Sequence, residues 1–190
     1  MRIGLSGGIA CGKTTAAGLF EKEGFPIFDA DAFCRKLYDD KNSVLNHEIY
    51  KRWGDGVFDK GICDRKKIAE IVFYNEGERK WLNSVVHPLV LDEIRGRKTP
   101  EPQIFDVPLL FEAGWEKEFN LTIAVWSPHN LQMQRLLERG LTSKDALTRI
   151  KTQMPAEEKL EKAGIGIVNT GDEDFLRTQC SIIIRKIKET

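Results

Sequence analysis

The chain has 190 residues, 41% of them hydrophobic, and its 29 Lys plus Arg balance 29 Asp plus Glu, so the formal net charge is zero. Such a length accommodates one domain with insertions and a buried core. The even charge argues against a broad nucleic-acid-binding face, leaving room only for a local basic pocket. No apolar run approaches the roughly 20 residues of a membrane span.

The first apolar run, residues 3–6, stops at Ser6-Gly7-Gly8 and reads as a strand rather than a signal peptide or a span. It leads straight into Gly7-Gly8-Ile9-Ala10-Cys11-Gly12-Lys13-Thr14, a complete G-x-x-x-x-G-K-[ST] loop. Glycines let successive N–H groups converge on one anion, Lys13 can reach the β- and γ-phosphates, and the Thr14 hydroxyl can ligate Mg²⁺. Residues 15–23 read as a helix whose positive end faces those phosphates. Gly8, Ile9, Ala10, Cys11, Gly12, Lys13, Thr14 and Thr15 are therefore the expected ATP-binding residues.

Further strands are expected at 26–29, 103–107, 121–126 and 165–169, alternating with helices. This is the pattern of an α/β fold with a five-stranded parallel sheet flanked by helices. Ligands of such sheets gather at the carboxyl ends of the strands. The second strand ends in Phe28-Asp29-Ala30-Asp31. If the chain stays extended there, Asp29 and Asp31 share one side, and two carboxylates near a triphosphate suggest a nucleophile-orienting base with a partner. Either could instead cap the helix expected at 32–38. Apolar residues 104–105 lead to Asp106, in the manner of a Walker B strand whose carboxylate holds Mg²⁺.

Residues 32–102 form a first insertion with a helical pattern throughout. Asp64 is the expected cap for a helix over 65–74, and 78–97 is helical around His87-Pro88. Pro100-Glu101-Pro102 returns the chain to the sheet. The insertion offers Arg35, Lys36, Arg65, Lys66 and Lys67 for a diphosphate, with Phe33 and Leu37 for apolar contact. Ile68, Val72 and Phe73 are expected to form the insertion's own core. A second insertion, 128–162, carries Arg135 and Arg139 on one helix face, a break at Gly140, a capping box at Thr142-Ser143-Lys144-Asp145, then Arg149, Lys151 and Pro155. Two cationic helices joined at a glycine suit a lid over phosphates. Cys11, Cys34, Cys63 and Cys180 lack C-x-x-C spacing and read as reduced thiols of a cytoplasmic protein, not a zinc site. Cys11 lies where a helix N-terminus tends to lower a thiol pKa, although a small-residue filler is the favoured reading.

Taken in order, the loop 7–15, Asp29-Ala30-Asp31, Asp64-Arg65, His87-Pro88, Asp106-Val107-Pro108-Leu109-Leu110-Phe111-Glu112 and Ile167-Val168-Asn169 resemble the dephospho-CoA kinase family over nearly the whole chain. The resemblance implies a single P-loop kinase domain: a core of 1–31, 103–127 and 163–190, a CoA-binding insertion at 32–102 and a lid at 128–162. It implies ATP-dependent phosphorylation of the ribose 3′-hydroxyl of dephospho-CoA, with Mg²⁺, and neither nucleic acid nor membrane as partner. On the residues, it implies Asp31 as base and Asn169 near the ATP adenine; the loop and lid patterns add Lys13 and Arg139 to assist transfer and Arg135 beside ATP. Asp29, Arg65, His87 and Asp106 would line the acceptor site, with Thr14 and Asp106 as metal ligands. The chain departs from the family at Ala10-Cys11, where Gly-Ser is usual, and at Gly164 and Val168, where the closing strand usually carries Asp. A guanine-nucleotide switch protein is disfavoured, because no D-x-x-G occurs and Asn169-Thr170-Gly171-Asp172 lacks the Lys of N-K-x-D.

Overall fold

Strands and helices alternate from the first residues in the structure, a computed structural model describing residues 1–189. In chain order the first half contains β1 (Arg2–Gly7), α1 (Lys13–Lys22), β2 (Ile27–Asp29), α2 (Ala30–Asp39), α3 (Val44–Trp53), β3 (Phe58–Asp59), β4 (Ile62–Cys63), α4 (Arg65–Tyr74) and α5 (Glu76–Gly96). The second half contains β5 (Gln103–Asp106), β6 (Leu121–Trp126), α6 (His129–Glu138), α7 (Ser143–Lys151), α8 (Ala156–Lys162), β7 (Ile165–Val168) and α9 (Glu173–Lys188). Two compact units result: Met1–Asp29 together with the chain from Thr99 onward, and Ala30–Lys98. Pro100-Glu101-Pro102 thus lies in the first unit rather than closing the insertion.

The first unit is built on a five-stranded sheet in the order β2-β5-β1-β6-β7, with every neighbouring pair parallel. All five strands expected from the sequence are present. β1 is buried on both faces, which is why it reads as an apolar run without alternation. Its Ile3 and Leu5 join Ile104, Ile123, Val125 and Ile167 in one core, closed by Ala16, Leu19 and Phe20 of α1 and by Leu176, Cys180, Ile183, Ile184 and Ile187 of α9. The spacing of those last five residues is helical, and Asp172 caps α9 by accepting the Phe175 N–H at 2.9 Å. The helices of the second insertion attach in two ways. Ala156 of α8 belongs to the main core, whereas Leu136 of α6 and Ala146 of α7 cluster around Ala10 of the phosphate loop. Gly140 ends α6 at φ 85°, and Thr142 caps α7 by accepting the Asp145 N–H at 3.1 Å.

The second unit packs α2 to α5 around Leu45, Ile49, Val57, Cys63, Ile68 and Leu82, with Leu37 and Val72 against them. Asp64 caps α4, accepting the N–H groups of Lys66 and Lys67 at 3.0 and 3.3 Å. Three features correct the sequence reading. The insertion is not helical throughout, because β3 and β4 form an antiparallel hairpin turning at Lys60-Gly61, both with positive φ. Phe73 is not in the unit's core: it is 60% exposed and stacks edge-on against Tyr74. Leu37, expected to offer apolar contact to a substrate, packs instead on the unit's core. Among the described residues no helix is long and apolar enough to cross a membrane.

Candidate active site

β1 ends at Gly7 and the chain turns sharply, the Cys11 N–H reaching back to the Gly8 carbonyl at 3.1 Å. Gly12 follows at φ 95°, a left-handed conformation, and a Cβ there would lie 2.2 Å from Asn169 Nδ2. Glycine is required at this position on both counts. Gly12 also stands at the N-cap of α1 and supplies no capping side chain. The first helical bond runs from the Ala16 N–H to the Gly12 carbonyl at 3.0 Å. The N–H groups of Lys13, Thr14 and Thr15 therefore have no intrahelical acceptor, and free N–H groups at a helix N-terminus suit an anion. Lys13 is ion-paired with Asp106 at the carboxyl end of β5. The Thr14 hydroxyl belongs to an exposed residue of the first helical turn.

Behind this loop a buried polar network fixes its carbonyls. Asn169 Nδ2 donates to the Cys11 carbonyl at 2.8 Å. Arg135 Nη1 donates to the Ala10 carbonyl at 3.0 Å and to Ser127 Oγ at 2.9 Å, and Ser127 Oγ donates to the Asn169 carbonyl at 2.7 Å. Gln132 Nε2 completes the set, donating to the Ser127 carbonyl at 2.9 Å. With the carbonyls tied down, the loop's N–H groups are held facing the other way, and such preorganisation is what electrostatic catalysis needs. Arg135 and Asn169, expected beside ATP, thus act here on the loop that would hold it.

The two departures at Ala10-Cys11 have a structural account. Ala10 adopts φ 58°, which costs a non-glycine residue roughly 1 kcal/mol or more. Its methyl is buried against Leu136 and Ala146, which offsets part of that strain. Cys11 is fully buried, and desolvation pushes its thiol up to about 11, with the Ser127 backbone and the Arg135 charge only partly opposing. Burial outweighs any lowering by the helix end, which fits Cys11 as the filler of a small-residue position.

Three sequence-expected site residues belong to the second unit. Asp31 is exposed in the first turn of α2, Arg65 is exposed in the first turn of α4, and His87 is half-buried in α5. Burial holds the His87 pKa below its usual 6.5, which favours the neutral imidazole. The strand stops at Asp29, so the alternation that would put Asp29 and Asp31 on one side does not apply. Asp29 instead stands in register with Asp106 across the β2–β5 pair, which brings two carboxylates to the same edge of the sheet. In the first unit Arg139 caps the C-terminal end of α6 and Arg149 lies in the last turn of α7, both exposed.

Lys159 and Ser127 border the loop and are missed by the sequence reading, which takes in Glu112 only as the end of the Asp106–Glu112 run. Lys159 lies on α8 with its side chain 0% exposed, paired with Glu112 at 2.8 Å. A signal for it existed: Ala156, Lys159, Leu160 and Ala163 recur at helical spacing, placing the lysine on the apolar face of an otherwise charged helix.

The sheet order, the uncapped helix after a G-x-x-x-x-G-K-T loop and the Lys13–Asp106 pair define a P-loop kinase of small molecules. A shikimate kinase from Aquifex aeolicus shares that fold, with a TM-score of 0.52 and 17% identity over 98% of this chain and 97% of its own. The family model described as dephospho-CoA kinase matches residues 1–174. A dephospho-CoA kinase from Fusobacterium nucleatum is 37% identical over 183 residues, covering 93% of this chain and 94% of its own length. The solved structure of a dephospho-CoA kinase from Campylobacter jejuni superposes with a TM-score of 0.72 at 28% identity, over 99% of this chain and 97% of that one. The chain belongs to the dephospho-CoA kinase family.

Proposed function

We propose that this enzyme transfers the γ-phosphoryl group of ATP to the ribose 3′-hydroxyl of dephospho-CoA, giving coenzyme A and ADP in the cytoplasm. The observation that carries this reading is the uncapped N-terminus of α1 beside the Lys13–Asp106 pair, within a chain of this family. The N–H groups of Lys13, Thr14 and Thr15 bind the triphosphate, and Lys13 leaves Asp106 to neutralise charge on the migrating group. Thr14 and Asp106 offer the hydroxyl and carboxylate oxygens that suit Mg²⁺, which supplies charge neutralisation to the β- and γ-phosphates.

Asp31 accepts the proton of the 3′-hydroxyl as its oxygen bonds to the γ-phosphorus and the bond to ADP breaks. Asp29 supports the acceptor. Arg139 closes over the phosphates when α6 and α7 move, since the Gly140 break lets that helix end swing. Arg65, next to the Asp64 cap, binds the acceptor's diphosphate, with His87 as a neighbour.

Incubation with ATP, Mg²⁺ and dephospho-CoA, followed by mass spectrometry and phosphorus NMR, tests the reading. It predicts one new phosphomonoester on the 3′-oxygen and stoichiometric ADP. Phosphorylation elsewhere, or ATP hydrolysis alone, would contradict it.

A further inference from the structure

Burying an ammonium in a protein interior is unfavourable unless its protons find oxygens. For Lys159 all three do. Nζ donates to the Pro108 carbonyl at 2.8 Å, to the Glu112 carboxylate at 2.8 Å and to the Gly7 carbonyl at 3.4 Å. These acceptors belong to the segments that must be held in register for the chemistry. Gly7 ends β1 and opens the phosphate loop, while Pro108 lies two residues beyond Asp106, the partner of Lys13. Ser6 Oγ also donates to the Pro108 carbonyl, at 3.0 Å, so the two strand ends are stitched from both sides. Glu112 in turn accepts the Met154 N–H at 3.0 Å, tying in the connection between α7 and α8.

We propose that Lys159 is a positioning residue for phosphoryl transfer, with Glu112 as its counter-charge: it sets the spacing between the phosphate loop and the Asp106 segment. The proposal rests on the kinase reading above. The Lys159 protons are committed to these three oxygens, so the residue acts through Gly7 and Pro108 and not on the substrate. A displacement of about 1 Å between reacting groups costs on the order of 10²-fold in rate, which makes a rigid tie at this junction consequential. The tie also explains why α8 carries a lysine on its apolar face, where a leucine would pack but would take a donor from both carbonyls and leave the Glu112 carboxylate without its counter-charge.

The test is steady-state kinetics of the full chain with ATP and dephospho-CoA, beside thermal melts and ATP titrations of the same samples. Lys159→Met keeps the side-chain stem and removes the charge. It is expected to lower kcat per folded molecule by about 30-fold or more, while KM for dephospho-CoA stays within about threefold. Glu112→Gln, which keeps the shape and leaves the ammonium without its counter-charge, is expected to lower kcat by about 10-fold with the same split. A merely structural lysine would lower the melting temperature and leave kcat per folded molecule intact. Near-wild-type kcat in folded Lys159→Met overturns the proposal, and if that variant does not fold, near-wild-type kcat in Glu112→Gln does so. Failure of the wild-type enzyme to make coenzyme A would overturn the kinase reading instead.

Discussion

The ammonium of Lys13 is paired with the carboxylate of Asp106, with side chains only 17% and 11% exposed. In the proposed mechanism a triphosphate draws Lys13 forward and leaves the Asp106 carboxylate to a cation. Lys13→Ala is expected to lower kcat by several orders of magnitude, because positioning and electrostatics dominate phosphoryl transfer. Near-normal turnover in that variant would remove residues 7–14 from the active site.

Asp29 and Asp31 differ in setting: one closes a strand in register with Asp106, the other lies in the first helical turn beyond it. With Asp31 as base, Asp31→Asn lowers kcat by roughly 10²-fold or more while KM for either substrate changes little. Asp29→Asn has the smaller effect. Rate measurements on the two variants side by side check this, and the reverse order would exchange the two roles.

Arg139 is exposed at the end of α6, next to the positive-φ Gly140. A residue that engages phosphate only on closure stabilises the transition state more than the open complex. Arg139→Ala is therefore expected to reduce kcat well beyond its effect on ATP affinity, measured by titration without acceptor. Equal losses in both would mark a static contact.

The phosphate loop, the five strands and the caps at Asp64 and Thr142 were legible because each depends on spacing within a few residues. The small hairpin was not, because its strands are two residues long and its turn is Lys60-Gly61 rather than Asn-Gly. Helix α9 went unread although its apolar spacing was there to be found. The network behind the loop is another matter. Asn169 reaches Cys11 across 158 residues, and Lys159 reaches Gly7 across 152, so only the sheet order brings these pairs together. A sequence can mark Asn169 as polar at a strand end, but not which carbonyl it will hold.

Thiol chemistry follows from burial. Cys11, Cys63 and Cys180 are buried, and desolvation pushes each pKa to about 11, whereas Cys34 is only half-buried. At pH 8 these three remain protonated, and the thiolate is the reactive form. Brief alkylation of the native protein, read by peptide mass spectrometry, should label Cys34 first and spare Cys11. Rapid labelling of Cys11 would show that the loop is open to solvent and poorly packed on Ser127.

Acceptor choice tests the central claim most directly. Dephospho-CoA carries an adenosine, a diphosphate and a long apolar arm, and binding energy from the remote groups can be realised in the transition state. The measurement is kcat/KM for dephospho-CoA, AMP and adenosine at fixed ATP, with Arg65→Ala in parallel. The account predicts that dephospho-CoA is preferred by orders of magnitude, and that Arg65→Ala raises its KM while leaving KM for ATP nearly unchanged. AMP or adenosine as the better acceptor would contradict dephospho-CoA as the substrate while leaving a P-loop kinase in place.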